Sequence, residues 1–394
     1  MEDLARTPNA LAEHYSRFRV ADRLLLTGHS HQAWPDVALE GQIEAITDAA
    51  EYVDGKWERA AAKAEEVAAG YRRLLADPGG EVALGASTHD LVLRFLSALD
   101  LRRRPRLVTT DGEFHTLRRQ LTRLAEEGIE VVRVPVEPVD TLAERIASEV
   151  DDRTAAALVS LVLFETARIV GGLDAVAVAC ARYGAELLVD AYHALGVVEV
   201  DLAALGLADV WVTGGGYKYL QFGEGNCFLR LPPHADRFRP VVTGWFAEFG
   251  ELADEKDPGV VRYASGAARF AGATYDPTCH YRAARVLRFR DEHGLHPAFL
   301  RALAQHQLGV LATAFDELAL PPEVIDRDRR APLRDYGGFL ALRCQDAQEL
   351  RFALAKRGVS ADSRGAHLRF GPAPYLSETQ LTDAMAALGE VARP

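Results

Sequence analysis

Five of the 45 basic residues are lysines: Lys56, Lys63, Lys218, Lys256 and Lys356. The other forty are arginines, so chemistry that needs a primary amine has few places to reside. Lys56 and Lys63 fall on a charged helical stretch, Lys256 in the acidic run 254–257, and Lys356 in the last turn of a helix, where a cation suits the dipole. Solvated surface charge accounts for these four. Lys218 differs. It follows a short apolar strand and three glycines (Gly214, Gly215, Gly216), with Tyr217 and Tyr219 on either side and no acid within five residues. A glycine-rich turn lets backbone approach a ligand closely. An amine in apolar surroundings has a depressed pKa and can attack a carbonyl to form an imine. A lysine that merely ends a strand reads the same way at this level.

Three further groupings could carry chemistry. Asp190 ends the apolar run Leu187-Leu188-Val189, 28 residues before Lys218. A carboxylate at the end of a buried strand needs a partner. A protonated pyridine nitrogen is one, because the pair holds the ring as an electron sink; an N-cap or a structural ion pair is another. His193 alone reads as a packed core histidine. The run Gly85-Ala86-Ser87-Thr88-His89-Asp90 is a strand-to-helix turn with hydroxyls at the helix start, which suits phosphate and equally suits simple capping. Arg369, in the strand before Pro372-Ala373-Pro374, could hold a substrate carboxylate through bidentate bonds.

The elements that must position these groups are legible as alternating short apolar runs and amphipathic segments. Strands are expected at 82–84, 107–110, 130–134, 155–164, 187–191, 210–213 and 227–231. Helices are expected at 35–76, 87–99, 116–127, 141–150 and 173–183. That alternation implies an α/β fold with a mainly parallel sheet covered on both faces, whose ligands sit at the carboxyl ends of strands. From about Thr278 a long arginine-rich helical stretch runs to Leu318, followed by a smaller α+β unit. The expected division is an N-terminal segment 1–30 packing with the small domain, a large domain 31–280 and a small domain 281–394.

Composition excludes other classes. The 394 residues are 48% hydrophobic and 26% charged, ordinary for a globular chain. A net charge of −12 argues against a nucleic-acid or anionic-membrane partner. The N-terminus lacks the apolar core of a signal peptide, and the apolar stretch 154–164 is too short to span a membrane. Four scattered cysteines, Cys180, Cys227, Cys279 and Cys344, suggest reduced thiols in the cytoplasm and no metal site. Neither a GxGxxG dinucleotide fingerprint nor a P-loop is present.

In chain order, the motifs resemble those of fold-type-I pyridoxal-phosphate (PLP) enzymes of the class V aminotransferase group, and kynureninase most of all. The family's Asp-x-x-His is matched by Asp190-Ala191-Tyr192-His193, and its Ser-Tyr-Lys-Tyr-Leu by Gly216-Tyr217-Lys218-Tyr219-Leu220. Its N-terminal Gly-Asn-Ser motif is matched by Gly28-His29-Ser30, and its late Ile-Arg motif in part by Leu368-Arg369-Phe370-Gly371-Pro372. The resemblance implies that Lys218 forms the internal aldimine and shuttles the α-proton, while Asp190 pairs with the pyridine nitrogen. It puts His193 near the ring or phosphate and stacks Phe114 on the ring. Ser87, Thr88 and Tyr217 would hold the phosphate, joined by Thr274 from a neighbouring subunit of a homodimer. Arg369 would take the carboxylate of an amino-acid substrate, with Trp245 beside it. His29 and Ser30 stand where the family has Asn-Ser, with His31 and Trp34 added. Asp276-Pro277 stands where it has Asn-Pro. These departures lie on the substrate side.

The implied function is a kynureninase-like lyase or hydrolase that cleaves at or beyond Cβ of an L-amino acid through aldimine and carbanion (quinonoid) intermediates. A C–S or other β/γ-eliminating lyase, and a class V aminotransferase or epimerase, share the early steps. A desulfurase needs a nucleophilic cysteine in a mobile loop just before the arginine; residues 359–364 hold none, and Cys344 is 25 residues before Arg369. A non-catalytic PLP-fold protein would have no reason to keep Lys218, Asp190 and Arg369 together.

Overall fold

The computed structural model describes residues 2–254 and 258–393; Lys256 lies outside them. A seven-stranded sheet forms the centre, in the order Glu81–Gly85, Cys227–Leu231, Trp211–Gly215, Glu186–Asp190, Thr154–Ser160, Arg106–Thr110, Glu130–Val134. Cys227–Leu231 runs antiparallel to both neighbours, and the remaining pairs are parallel. The α/β architecture with a mainly parallel sheet therefore agrees with the expectation. Thr154–Ser160 is buried at every position, as a strand covered on both faces must be.

That strand stops at Ser160 and does not reach Phe164. Beyond it the chain folds back on itself, with Val170 N donating to Leu161 O and Leu163 N to Arg168 O, both at 2.9 Å. One face of the sheet packs on Thr88–Ala98 and His115–Glu126 through residues such as Phe95, Leu117 and Leu121. The other packs on Leu142–Glu149, Leu173–Tyr183, Lys56–Leu74 and Thr278–Glu292 through Ile146, Val176, Val67 and Val286.

A second core joins both ends of the chain. Leu11, Tyr15, Val20, Leu26 and Ala33 pack with Phe289, Leu311, Phe339's neighbour Leu340, Leu368 and Leu388. Leu24–Leu25 pairs in parallel with Val359–Ser360. A four-stranded antiparallel sheet, ordered Asp362–Arg364, His367–Phe370, Leu340–Arg343, Asp326–Arg327, lies in this region. The long helical stretch from Thr278 is two helices, Thr278–Glu292 and Pro297–Glu317. Gly294 at φ 65° ends the first, and Pro297 starts the second at a position where its missing N–H costs nothing. The terminal helix Glu378–Ala392 was not anticipated, although Ser377 and Gln380 form a capping box at its start.

One lysine departs from its expected setting. Lys63 is not solvated: its side chain is 13% exposed and its ammonium lies 2.7 Å from Glu44. Its helix packs against Thr278–Glu292 and Val37–Tyr52, which turns that face inward.

Candidate active site

The sheet gathers the chemistry at the carboxyl ends of its parallel strands. Pairing aligns Ser160, Asp190 and Thr213 across three adjacent strands. The chain then leaves Trp211–Gly215 through Gly216 into the Lys218 turn, closed by Phe222 N to Gly216 O at 2.9 Å. The glycines are needed here for space. A Cβ at Gly215 would collide with the Tyr192 hydroxyl and Cys227 Sγ, and one at Gly216 with the Phe222 ring. Ser87 caps Thr88–Ala98, its hydroxyl accepting from Asp90 N at 3.1 Å. Phe114 is the N-cap of His115–Glu126.

Between these elements lies a cavity of about 250 Å³. Seven expected residues line it: Ser87, Thr88, Phe114, Asp190, His193, Tyr217 and Lys218. Lys218 is 5% exposed. Its Nζ lies 2.6 Å from His193 Nε2, 5.1 Å from the Phe114 ring centre and 4.9 Å from that of Tyr192. Burial drives its pKa down to about 7, against the opposing pull of Asp190. The amine is thus largely a free nucleophile just above neutrality. Burial, reinforced by Lys218, also holds His193 well below the ordinary histidine range, so the imidazole is neutral and shares a hydrogen bond with the amine through Nε2. Its Nδ1 is buried without a hydrogen-bond partner among the described residues.

Asp190 accepts from Tyr192 N at 2.8 Å. Burial raises its pKa, opposed by that N–H and by Lys218. Thr88 Oγ1 is buried without a hydrogen-bond partner among the described residues, at the first turn of its helix, where free N–H groups and the dipole favour an anion. Tyr217 is pushed up to about 12, chiefly by burial, and so keeps its proton to donate.

Other expected residues lie outside the cavity lining. His29 is fully buried, 3.5 Å from Asp362. Ser30 contacts His31 Nδ1 at 3.3 Å, and His31 stacks on Tyr217 with ring centres 4.9 Å apart. Asp276 accepts from Thr278 N at 2.9 Å on the surface. Thr274 is exposed, and Trp245 is 45% exposed beside Phe246 and Phe249. Arg369 sits one residue behind the lining, its Nη1 donating to the carbonyl of the lining residue Phe164.

Sequence reasoning missed Glu113, Ser160, Tyr192 and Cys227, all packed in or under the cavity. Glu113 is 2% exposed. It accepts from Thr110 Oγ1 at 2.7 Å and from Ser160 Oγ at 2.6 Å. Burial raises its pKa to about 7 against those hydrogen bonds, and Asp190 adds to the rise. An acid raised from 4.5 to about 7 in the fold binds more protons folded than unfolded across that window, so stability falls as pH climbs through it. Glu113→Gln is therefore expected to stabilise the protein by up to roughly 3 kcal/mol at pH 8 and little at pH 4.5. Denaturant unfolding at the two pH values checks this; an equal effect at both would refute the assignment.

No family model matches the chain. A Bacillus subtilis (strain 168) protein described as an uncharacterized aminotransferase, YcbU, is 24% identical over 347 residues, covering 87% of this chain and 88% of that one. Among solved structures, a mutant of C-DES with glycine covalently linked to its PLP cofactor superposes with a TM-score of 0.82 at 15% identity, over 96% of this chain and 98% of that one. An apo cysteine desulfurase from Thermococcus onnurineus NA1 gives 0.80 at 16% identity, over 98% of each chain. The cystine C–S lyase C-DES with its product cysteine persulfide gives 0.80 at 15% identity, over 94% of this chain and 98% of that one. At these identities the likeness is one of fold: the chain has the α/β fold of PLP-dependent fold-type-I transferases.

Proposed function

We propose that the protein is a PLP-dependent lyase acting at or beyond Cβ of an L-amino acid. The observation that carries this reading is the convergence on one cavity of a buried amine (Lys218), a strand-end carboxylate (Asp190) and a hydroxyl at a helix N-terminus (Thr88) that has no hydrogen-bond partner among the described residues. These match the aldehyde, the ring nitrogen and the phosphate of the cofactor. The solved C-DES structures of the same fold are described with PLP and with cysteine persulfide as product.

Bound PLP supplies an electron sink for the pair left at Cα when a proton departs. The chain supplies the rest. Lys218 Nζ takes that proton and returns it, and neutral His193 holds the amine through Nε2. Asp190 would keep positive charge on a bound ring nitrogen, Phe114 would cover the ring, and Thr88, Ser87 and Tyr217 would hold the phosphate. Arg369 receives the substrate carboxylate.

Elimination at Cβ is favoured over desulfuration by the thiols. Cys180 and Cys344 are buried away from the cavity, and Cys279 lies outside its lining. Cys227 does line it, but burial raises its pKa and Tyr192 Oη sits 3.8 Å away. None of the four is a poised nucleophile. Kynureninase-like Cβ–Cγ hydrolysis is the second reading, favoured by the motifs around Asp190 and Lys218 and by Phe114 in the cavity wall. Product analysis separates them. Pyruvate and ammonia from cystine or a β-substituted alanine indicate elimination; anthranilate and alanine from kynurenine indicate hydrolysis; a keto acid with pyridoxamine phosphate indicates transamination. Transamination alone, or release of none of these by the PLP-loaded protein, would refute the reading.

The same proposal includes a homodimer with shared sites. Val241, Trp245 and Phe249 are 82%, 45% and 56% exposed, and Thr274 is exposed in the same part of the chain. Sedimentation is expected to give a species of twice the 43.1 kDa chain mass; a monomer would remove Thr274 from the site.

A further inference from the structure

Arg369 is 3% exposed, and its guanidinium is already partly engaged. Nη1 donates to Phe164 O and Nη2 pairs with Asp362 Oδ2, while Nε is buried without a partner among the described residues. Asp362 faces Arg369 directly across paired strands. Its other oxygen, Oδ1, takes Arg364 Nη1 at 2.9 Å. On the Oδ2 side, His29 Nε2 approaches to 3.5 Å. His29 is fully buried, lies against the Phe339 ring at 4.5 Å, and leaves no room for a side chain at Gly371.

Burial holds the His29 pKa down to about 4, so the ring is neutral at physiological pH. Burial alone would raise the Asp362 carboxyl, but His29, Arg369 and Arg364 outweigh it and hold the group well below the usual carboxylate range. Two arginines thus share one carboxylate beside a neutral imidazole whose nitrogens, close as they come, make no hydrogen bond among the described residues, which leaves one positive charge and the Arg369 Nε–H unmatched there. A buried donor on a charged group calls for an acceptor. A second carboxylate would satisfy both, and an amino acid carries one.

We propose that Asp362 and His29 are positioning residues that hold Arg369 by one edge, so that its remaining donors grip the α-carboxylate of the substrate. This rests on the reading of Arg369 as the carboxylate receptor. Without His29, Asp362 could turn toward the more exposed Arg364 and release the buried guanidinium. His29 then acts from behind the receptor and does not touch the substrate. The histidine at this place tunes the grip on the carboxylate common to all amino acids.

The test uses the full-length, PLP-loaded protein titrated with L-alanine and with L-alaninamide, reading the change in visible absorbance. The ratio of the two dissociation constants measures carboxylate preference. Arg369→Gln should bring that ratio close to one. Asp362→Asn and His29→Phe should each lower it about ten-fold, as misalignment of one charged hydrogen bond implies, by weakening alanine and sparing alaninamide. His29→Gln, which keeps an N–H donor, should recover most of the loss. A wild-type ratio that survives Arg369→Gln would sink the receptor reading itself. A ratio lost in Arg369→Gln but kept in Asp362→Asn and His29→Phe, or equal weakening of both ligands in those two, would overturn the positioning roles alone. Because the two substitutions sit on different elements, misfolding of either leaves the other to decide.

Discussion

Lys218→Ala is expected to remove the visible absorbance that PLP gives the wild-type protein and to lower turnover by about 10³–10⁴-fold, the range for loss of a positioned proton carrier. No other described lysine can substitute. Lys63 is tied to Glu44, Lys56 lies beside Trp57, and Lys356 ends an exposed helical turn. Lys218 alone among them lines the cavity. A second readout is independent of turnover. With its pKa lowered by burial to about 7, the amine becomes a nucleophile as pH rises through neutrality. The rate at which apoprotein takes up PLP should climb between about pH 6 and 8 and then level. A rate that keeps climbing toward pH 10.5 would mean an ordinary solvated lysine.

Asp190→Asn should cost about 10²–10³ in turnover, the scale for removing one preorganised charge from a site where charge develops, while leaving the visible absorbance in place. The asparagine can still accept from Tyr192 N, as Asp190 does at 2.8 Å. The local backbone is thereby preserved, and the loss is electrostatic. It should fall on the rate constant kcat more than on KM, since the charge at the ring nitrogen matters most when electrons flow into the ring. Loss of PLP binding with unchanged kcat in the residual loaded fraction would make Asp190 an anchor and nothing more.

Local patterning reveals the residues that face the cavity because they terminate elements. Asp190 closes an apolar strand, Ser87 opens a helix, and Lys218 follows a glycine run. Period and punctuation mark such places. The residues it hides are those brought together by pairing between distant segments. Asp362 meets Arg369 through strand register and His29 through a contact spanning most of the chain. Nothing in Val359 to Arg364 announces a carboxylate shared by two arginines. Glu113 is hidden for another reason: an acid beside a turn reads as surface, and only the Thr110 and Ser160 hydroxyls explain its burial. The sequence pattern runs the strand on to 164 because Leu161 to Phe164 stay apolar after the backbone has left the sheet at Ser160; burial continues where the ladder stops.

The joining of both chain ends in one core has a consequence for biosynthesis. Tyr15, Leu26 and Ala33 leave the ribosome long before their packing partners Leu368, Tyr375 and Leu388. The central sheet can assemble while these early residues are still without cover. His29 likewise acquires Asp362 only after the whole central sheet has been made. Such long-range closure is slow, so the nascent protein carries an apolar segment in need of shielding until residues 359–388 arrive.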